Sequence, residues 1–494
     1  MSKEELLIEN KTLKGENFVL KERIQQLERM VFGAKRERFV ATENPQQGSL
    51  FDFPESETPT VIEEKKIVVK KKKKKATAAK RQAFPAHLRR ETTTIDPALE
   101  NPEQWVKIGQ DITETLGYIP ADFYVKQTVR PRYAHKTDED QGIKQAPIPP
   151  RLIPKGMLDA SVVTEMIIEK LQFHTPVHRF VRKLKLEGID FIKQNTLHNA
   201  LHRAAQTLLP LYYLLQKEVL ESGYVQADES HISVLSKNKI GAAHRGQIWV
   251  YFAPTLQTTF FNYEQKRDIA AAQNILEGYE GTLQCDGYSV YQNIAQSATI
   301  RLSHCWAHVR RKFFDAKGSD PEIAQWMLEQ IQRLYAIERQ ARTEQLCYEE
   351  RQQLRQQLAQ PILTTIKTKL VEQAADPTIL PKSMLGKAVN YTLSLWQGLV
   401  QYVKDGQLEI DNNLVENTIR PIALGRKNYL FAGSHDAAQN LAILYSFIGS
   451  CEKNDINTRQ YFNWIFDKIV KEKVTDDAVE WLPHRVKLEW LEGF

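Results

Sequence analysis

A carboxylate set among amides and cations marks residues 408–434, LEIDNNLVENTIRPIALGRKNYLFAGS. If Asp411 or Asn412 caps a helix there, as short acceptors before an apolar-periodic run do, then Asn412, Glu416 and Arg420 share one face at four-residue spacing. Leu414, Val415, Ile419 and Ile422 take much of the rest. Pro421 is expected to end or kink this helix before Arg426, Lys427 and the run Tyr429, Leu430, Phe431. A lone Glu beside an Arg is an ordinary solvated pair. It gains chemistry only from partner acids, because Mg²⁺ prefers hard oxygen ligands, and two such ions can clamp the attacking and leaving oxygens of a phosphoryl transfer.

Two aspartates are placed to be those partners. Asp228 lies within the strand predicted for GYVQADESHISVL, and Asp286 ends the strand of GTLQCDGYSVY, just before Gly287. A sheet aims a strand-end Asp into a ligand crevice, although Asp286-Gly287 alone also reads as a turn. Glu229 competes with Asp228, but alternation along a strand turns it to the opposite face. HCWAHVRRKF adds His304, Cys305 and His308; two His at i and i+4 share a helix face and could hold zinc. No other ligand cluster is visible, so no zinc is expected. His308, Arg310 and Arg311 read instead as contacts to the site, with Trp306 and Phe313 in the core.

The chain has 494 residues and 42% hydrophobic content, ordinary for a soluble protein of two to four domains and unlike a disordered one. The net charge is +6, but it is unevenly spread, with an unbroken lysine run from Lys70 to Lys75 that suits a polyanionic partner. Four cysteines stand far apart without a CxxC pair, so neither a disulfide framework nor a cysteine zinc knuckle is indicated. A charged start and the lack of an apolar run near the roughly 20 residues of a membrane span imply a cytoplasmic protein with no membrane partner.

Taken in order, residues 1–33 carry Leu6, Leu13, Leu20 and Leu27 at seven-residue intervals with Asn10 and Asn17 at a positions, the pattern of a parallel dimeric coiled coil. Residues 34–94 read as a basic flexible linker and 95–150 as a small β-rich module, with a strand expected over 123–129. Residues 151–222 are helical, a candidate DNA-binding pair in which Arg179, Arg182, Lys183 and Lys185 would meet phosphates. From residue 223 the strands of GYVQADESHISVL, GQIWVYFAP and TTFFNYEQ open an α/β core that continues to 320. A helical insertion (321–401), the return of the core with the third acid (402–450) and a helical tail (451–494) complete the chain.

Asp on a first strand, Asp on a later strand and Glu on a helix after a helical insertion is the order of acids in ribonuclease-H-like transposases. QADES, LQCDGYSVY, HCWAHVRRKF, DNNLVENTIRP and GRKNYLFAGS are similar to signature segments of the insertion sequence 66 family. FGAKRERF, FPAHLRR and IGQDITETLGYIPADFYVKQTVRPRYA resemble that family's N-terminal half, so the likeness is spread over most of the chain.

The resemblance implies a multidomain α/β protein with a ribonuclease-H-like catalytic core, and carries the acidic triad onto Asp228, Asp286 and Glu416, which would hold two Mg²⁺ or Mn²⁺ ions. It implies cleavage at transposon ends and transfer of 3′-hydroxyls into target DNA, with a metal-dependent nuclease lacking strand transfer, or a silent transposon-derived DNA-binding protein, as the alternatives. Arg420, Arg426, Lys427, His308, Arg310 and Arg311 would contact DNA, although structural salt bridges would account equally well for Arg420, Arg426 and Lys427. Expected partners are terminal inverted repeats, target DNA, a second copy through the coiled coil, and other proteins of the same element. Family members often carry paired cysteines just before the segment matching Val106–Gly109; here ALENPEQWVKIG has none, so structural zinc is not implied.

Overall fold

The structure, a computed structural model, describes residues 83–494 apart from 87, 120–121, 137–139, 141, 236–242, 296–298 and 319. The leucine repeat and the lysine run lie outside these residues. A first sheet combines β1 (Arg90–Thr94), β2 (Trp105–Ile119), β3 (Asp122–His135) and β4 (Ile143–Gln145). β2 and β3 form a long antiparallel hairpin, β1 pairs parallel with β3, and β4 joins the far end of β3. β1 occupies the end of the segment read as linker, because RETTT is mostly exposed and shows no apolar alternation to betray a strand. β3 runs well past 129 and through Pro131, which faces Gln110 near the register shift between Lys107 and Gly109; strands admit proline at such irregularities.

Three helices follow: α1 (Ala160–Leu171), α2 (Val177–Leu186) and the 28-residue α3 (Gln194–Glu221). Asp159 caps α1 by accepting from the Ser161 N–H. Lys183 on α2 is engaged by Glu169 at 2.8 Å. Tyr212 of α3, 2% exposed, donates its hydroxyl to the Phe261 carbonyl at 2.8 Å and so fastens this helix to the second sheet.

Val, Ile, Trp, Tyr and Phe then build β5 (Tyr224–Leu235), β6 (Ala243–Ala253) and β7 (Thr258–Glu264), followed by α4 (Ile269–Ile275), β8 (Gly281–Cys285), α5 (Ser289–Ala295), β9 (Ile300–His304) and α6 (Trp306–Ala316). The strand order is β7-β6-β5-β8-β9, with the first three antiparallel and β8 and β9 parallel to β5. β6 is buried without interruption from Gly246 to Ala253, since helices cover the sheet around it.

Past α6 an all-helical segment contains α7 (Pro321–Thr343), α8 (Tyr348–Leu354), α9 (Gln360–Ala375), α10 (Met384–Ser394) and α11 (Trp396–Leu399). It has its own core, into which α6 sends Trp306, Val309 and Phe313. A buried ion network ties it down. Glu338, 2% exposed, accepts from both Arg351 and Arg355, while Arg355, fully buried, also donates to the carbonyls of Tyr402, Asp405 and Leu408.

The chain returns to the sheet as α12 (Asn413–Tyr429), α13 (His435–Lys453) and α14 (Thr458–Lys471). α13 covers the open edge of β7. Ser450 Oγ accepts the Thr259 N–H at 3.0 Å and Ser446 Oγ the Phe261 N–H at 2.9 Å. Four residues of helix rise about 6 Å and two of strand about 6.8 Å, so i,i+4 hydroxyls match alternate strand amides. Gly449 permits the approach, since a Cβ there would stand 2.8 Å from Thr259 Oγ1. Among the described residues no helix is long and apolar enough to cross a membrane.

Candidate active site

The parallel pairing of β5 with β8 ends at Gln226 opposite Gln284. Asp228 and Asp286 each stand two residues beyond that last rung, and alternation places each on the side of the glutamine behind it. Asp228 Oδ1 accepts the Glu229 N–H at 2.8 Å, and Asp286 Oδ1 the Tyr288 N–H at 2.9 Å. Each carboxylate is therefore held through one oxygen by the chain that follows it. Gly287 lets the helical insertion close over this point: a Cβ there would fall 2.7 Å from Leu395 and 2.9 Å from Tyr391.

The glutamines position the third acid. Gln226 Nε2 donates to the Asp411 carbonyl at 3.1 Å and to Gln284 Oε1 at 2.8 Å, while its Oε1 accepts the Val415 N–H at 3.2 Å. Gln284 Nε2 donates to the Glu409 carbonyl at 2.7 Å, and Tyr224 donates its hydroxyl to Gln284 Oε1 at 2.6 Å. Asn412 is the N-cap residue of α12 but its side chain makes no cap bond. The Val415 N–H is shared between the Asn412 carbonyl at 3.1 Å and Gln226 of the neighbouring strand, and Asp411 accepts the Asn413 N–H and the Tyr335 hydroxyl. Glu416 sits in the first turn of the helix so fixed. α12 does not end at Pro421 but continues to Tyr429, because the buried stripe Val415, Ile419, Ile422, Gly425, Tyr429 runs straight past the proline.

Asp228 reports the electrostatics. Burial raises its carboxyl to about 8, helped by the negative charges of Glu229, Glu416 and Asp286. Asp286 and Glu416 are thus each within electrostatic reach of Asp228, although the oxygens of the three acids do not all lie within 4.8 Å of one another. Hard oxygen donors under such charge excess fit a divalent cation of the Mg²⁺ type. Glu229, by contrast, is engaged by Arg267, whose Nε lies 3.0 Å from Oε1, and stands 3.5 Å from the Tyr291 hydroxyl of α5.

The basic residues divide. Arg420 and Lys427 are exposed on α12, and Arg310 and Arg311 on α6. Arg426 is committed to the fold, donating Nη1 to Ser230 Oγ at 2.7 Å and to the His231 carbonyl at 2.8 Å. His308 Nδ1 lies 3.8 Å from Glu416 Oε1. Sequence reasoning missed Gln226 and Gln284, although the Q-x-D spacing repeated in QAD and QCD was the available signal.

The frame so defined is a mixed α/β protein with two sheets, in which one aspartate on a strand and another just past a strand's end lie near a helix glutamate beneath a helical insertion. A family model described as the transposase IS66 family matches residues 155–440, which include all three acids and the insertion. The chain belongs to this IS66 family of transposases. A second model, described as transposase C of IS166 homeodomain, matches residues 19–93. The uncharacterized protein y4jD of Sinorhizobium fredii (strain NBRC 101917 / NGR234) is 29% identical, covering 94% of this chain and 93% of its own. The uncharacterized y4hP of the same strain is 30% identical over 83% of this chain and 77% of its own.

Proposed function

We propose that this chain is a DNA transposase with a ribonuclease-H-like core that cuts at transposon ends and joins the freed 3′-hydroxyls to target DNA. The observation that carries the reading is the junction of β5, β8 and α12. With β5 as first strand, the sheet runs third, second, first, fourth, fifth; an aspartate stands on the first strand, another just past the fourth, and the glutamate on a helix after the insertion. Family membership supports the same reading, and the second family match supports DNA binding by the N-terminal part.

Asp228, Asp286 and Glu416 would hold Mg²⁺ or Mn²⁺, which when bound supplies activation of the attacking oxygen and stabilisation of the leaving oxygen. The chain's own residues do the positioning. Gln226 and Gln284 lock the first turn of α12 against the two strands, so that Glu416 is presented from a rigid element. Exposed Arg420, Lys427, Arg310 and Arg311 offer phosphate contacts that orient a duplex without reading bases. No covalent protein–DNA intermediate is required, since cutting and joining are both phosphoryl transfers.

The test is cleavage and joining of DNA bearing the element's terminal repeats, with Mg²⁺ or Mn²⁺. Wild type that cuts and joins supports the proposal. Cutting without joining would favour a nuclease, and binding without either a silent DNA-binding protein.

A further inference from the structure

α6 brings a soft ligand to the edge of the acid cluster. Cys305, 2% exposed, is the N-cap residue of that helix, and His308 follows three residues on, so both lie over its first turn. Glu416 enters from α12, four residues after Asn412, whose backbone N–H donates to Cys305 Sγ at 3.4 Å. The ligand atoms of Cys305, His308 and Glu416 all lie within 4.8 Å of one another, and no other such triple occurs among the described residues. Asn412 supplies an independent observation. It is 1% exposed, yet neither Oδ1 nor Nδ2 has a hydrogen-bond partner, whereas buried amides are nearly always satisfied.

Sequence alone put His304, Cys305 and His308 side by side without a further ligand. The fold directs His304 elsewhere, its Nδ1 3.9 Å from Cys285 Sγ, and brings in Glu416. We propose that Cys305, His308 and Glu416 form a binding site for a borderline transition-metal dication of the Zn²⁺ class, sharing Glu416 with the hard-oxygen cluster of Asp228 and Asp286. A thiolate, an imidazole and a carboxylate are the donors Zn²⁺ takes, at about 2.0–2.3 Å, and they leave a fourth position open. Ligands at such lengths around a tetrahedral ion stand roughly 3.3–3.6 Å apart, so the present spacing closes by about 1 Å. His308 and Glu416 keep side-chain exposures of 21% and 30%, which leaves both a route for the ion and room to move. Binding sends the thiol proton to solvent. Mg²⁺ does not occupy this set itself, because it prefers carboxylates and water to thiolate, and it competes only through the shared Glu416.

The consequence for cutting rests on the reading of Glu416 given above: Zn²⁺ held here withdraws that carboxylate from the acid cluster and inhibits Mg²⁺-dependent cleavage.

Co²⁺ is the probe. The reduced full-length protein in Mg²⁺-free buffer is titrated with Co²⁺ and followed by absorption. The expected result is one equivalent bound, with a near-ultraviolet thiolate-to-cobalt band and the strong visible bands of a four-coordinate ion, both removed by stoichiometric Zn²⁺ but weakened by Mg²⁺ only at large excess. Cys305→Ser abolishes the thiolate band. His308→Gln weakens cobalt binding at least about tenfold, and Cys347→Ser, at an exposed cysteine outside the cluster, leaves the spectrum unchanged. A wild type without a thiolate band, or a band that survives Cys305→Ser, would overturn the proposal. Should Cys305→Ser fail to fold, by circular dichroism, unchanged cobalt affinity in His308→Gln would overturn it instead. A cobalt site that forms as described while Zn²⁺ leaves cleavage undiminished would keep the metal site and refute the role of Glu416 in cutting.

Discussion

Gln226→Met tests whether the two strands really hold the third acid in place. The change nearly preserves side-chain length, so no large cavity is opened, but it strips the side-chain partner from the buried Asp411 carbonyl at the start of α12 and leaves the Val415 N–H with the Asn412 carbonyl alone. Gln284 Oε1 keeps the Tyr224 hydroxyl. An orphaned buried backbone group costs about 1–3 kcal/mol, so the first turn of α12 is loosened by about that much. At tenfold per 1.4 kcal/mol, amide protection over residues 411–416 falls at least about fivefold. Hydrogen exchange read by mass spectrometry checks this, with the fully buried stretch of β6 as internal reference, and metal-dependent cleavage is expected to fall in parallel. Unchanged protection at 411–416 would refute the reasoning. So would an equal loss in β6, which would mean that Gln226 serves global stability and not the docking of α12.

Glu338→Gln sets an amide against two buried guanidinium groups and is expected to destabilise the protein by about 3–5 kcal/mol, seen as a lowered thermal midpoint. Burial alone would raise the Glu338 carboxyl, but Arg355 and Arg351 outweigh it and hold it below its ordinary 4.5. Its contribution is therefore fully present above pH 4.5 and lost as pH falls through the lower folded-state value, so acid should destabilise wild type more steeply than Glu338→Gln. Burial beneath the Tyr429 ring, 4.6 Å away, lowers Lys170 from 10.5 to about 8. The folded state then binds fewer protons than the unfolded one between pH 8 and 10.5, stability rises with pH across that window, and Lys170→Met should stabilise at pH 7 by at most about 3 kcal/mol, a gain that disappears above pH 10.5 in thermal melts. Ser446→Ala removes the acceptor from the buried Phe261 amide and should cost about 1–3 kcal/mol in thermal unfolding, with faster exchange confined to β7.

Local patterns carried much of the architecture. The β-branched and aromatic runs of GYVQADESHISVL, GQIWVYFAP and TTFFNYEQ specify β5, β6 and β7 because such side chains fit a pleated, buried surface whatever segment lies across from them. What local pattern cannot carry is a bond between distant segments. Gln226 and Val415 meet across 189 residues, and nothing near either residue announces the other. Nothing in the helical segment 321–401 singles out Arg355 in sequence, yet it is wholly buried, because Glu338 and three carbonyls compensate it from elsewhere in the chain. α12 is a different case: its apolar stripe was present in the sequence on both sides of Pro421, and the proline's local preference weighed less than five buried positions packed on the sheet. RETTT, with nothing apolar to pack, could only be recognised as a strand once β3 was there to pair with it.

Whether Asp228, Asp286 and Glu416 act as one site on DNA is decided by single-turnover cleavage of terminal-repeat DNA with Mg²⁺. Wild type would be compared with Asp228→Asn, Asp286→Asn and Glu416→Gln, all at equal DNA occupancy. Residues that act as a unit fail as a unit. The account predicts that each variant binds DNA as wild type does and loses cleavage by a comparably large factor, with the triple variant little worse than any single one. A variant that cuts at the wild-type rate would contradict it.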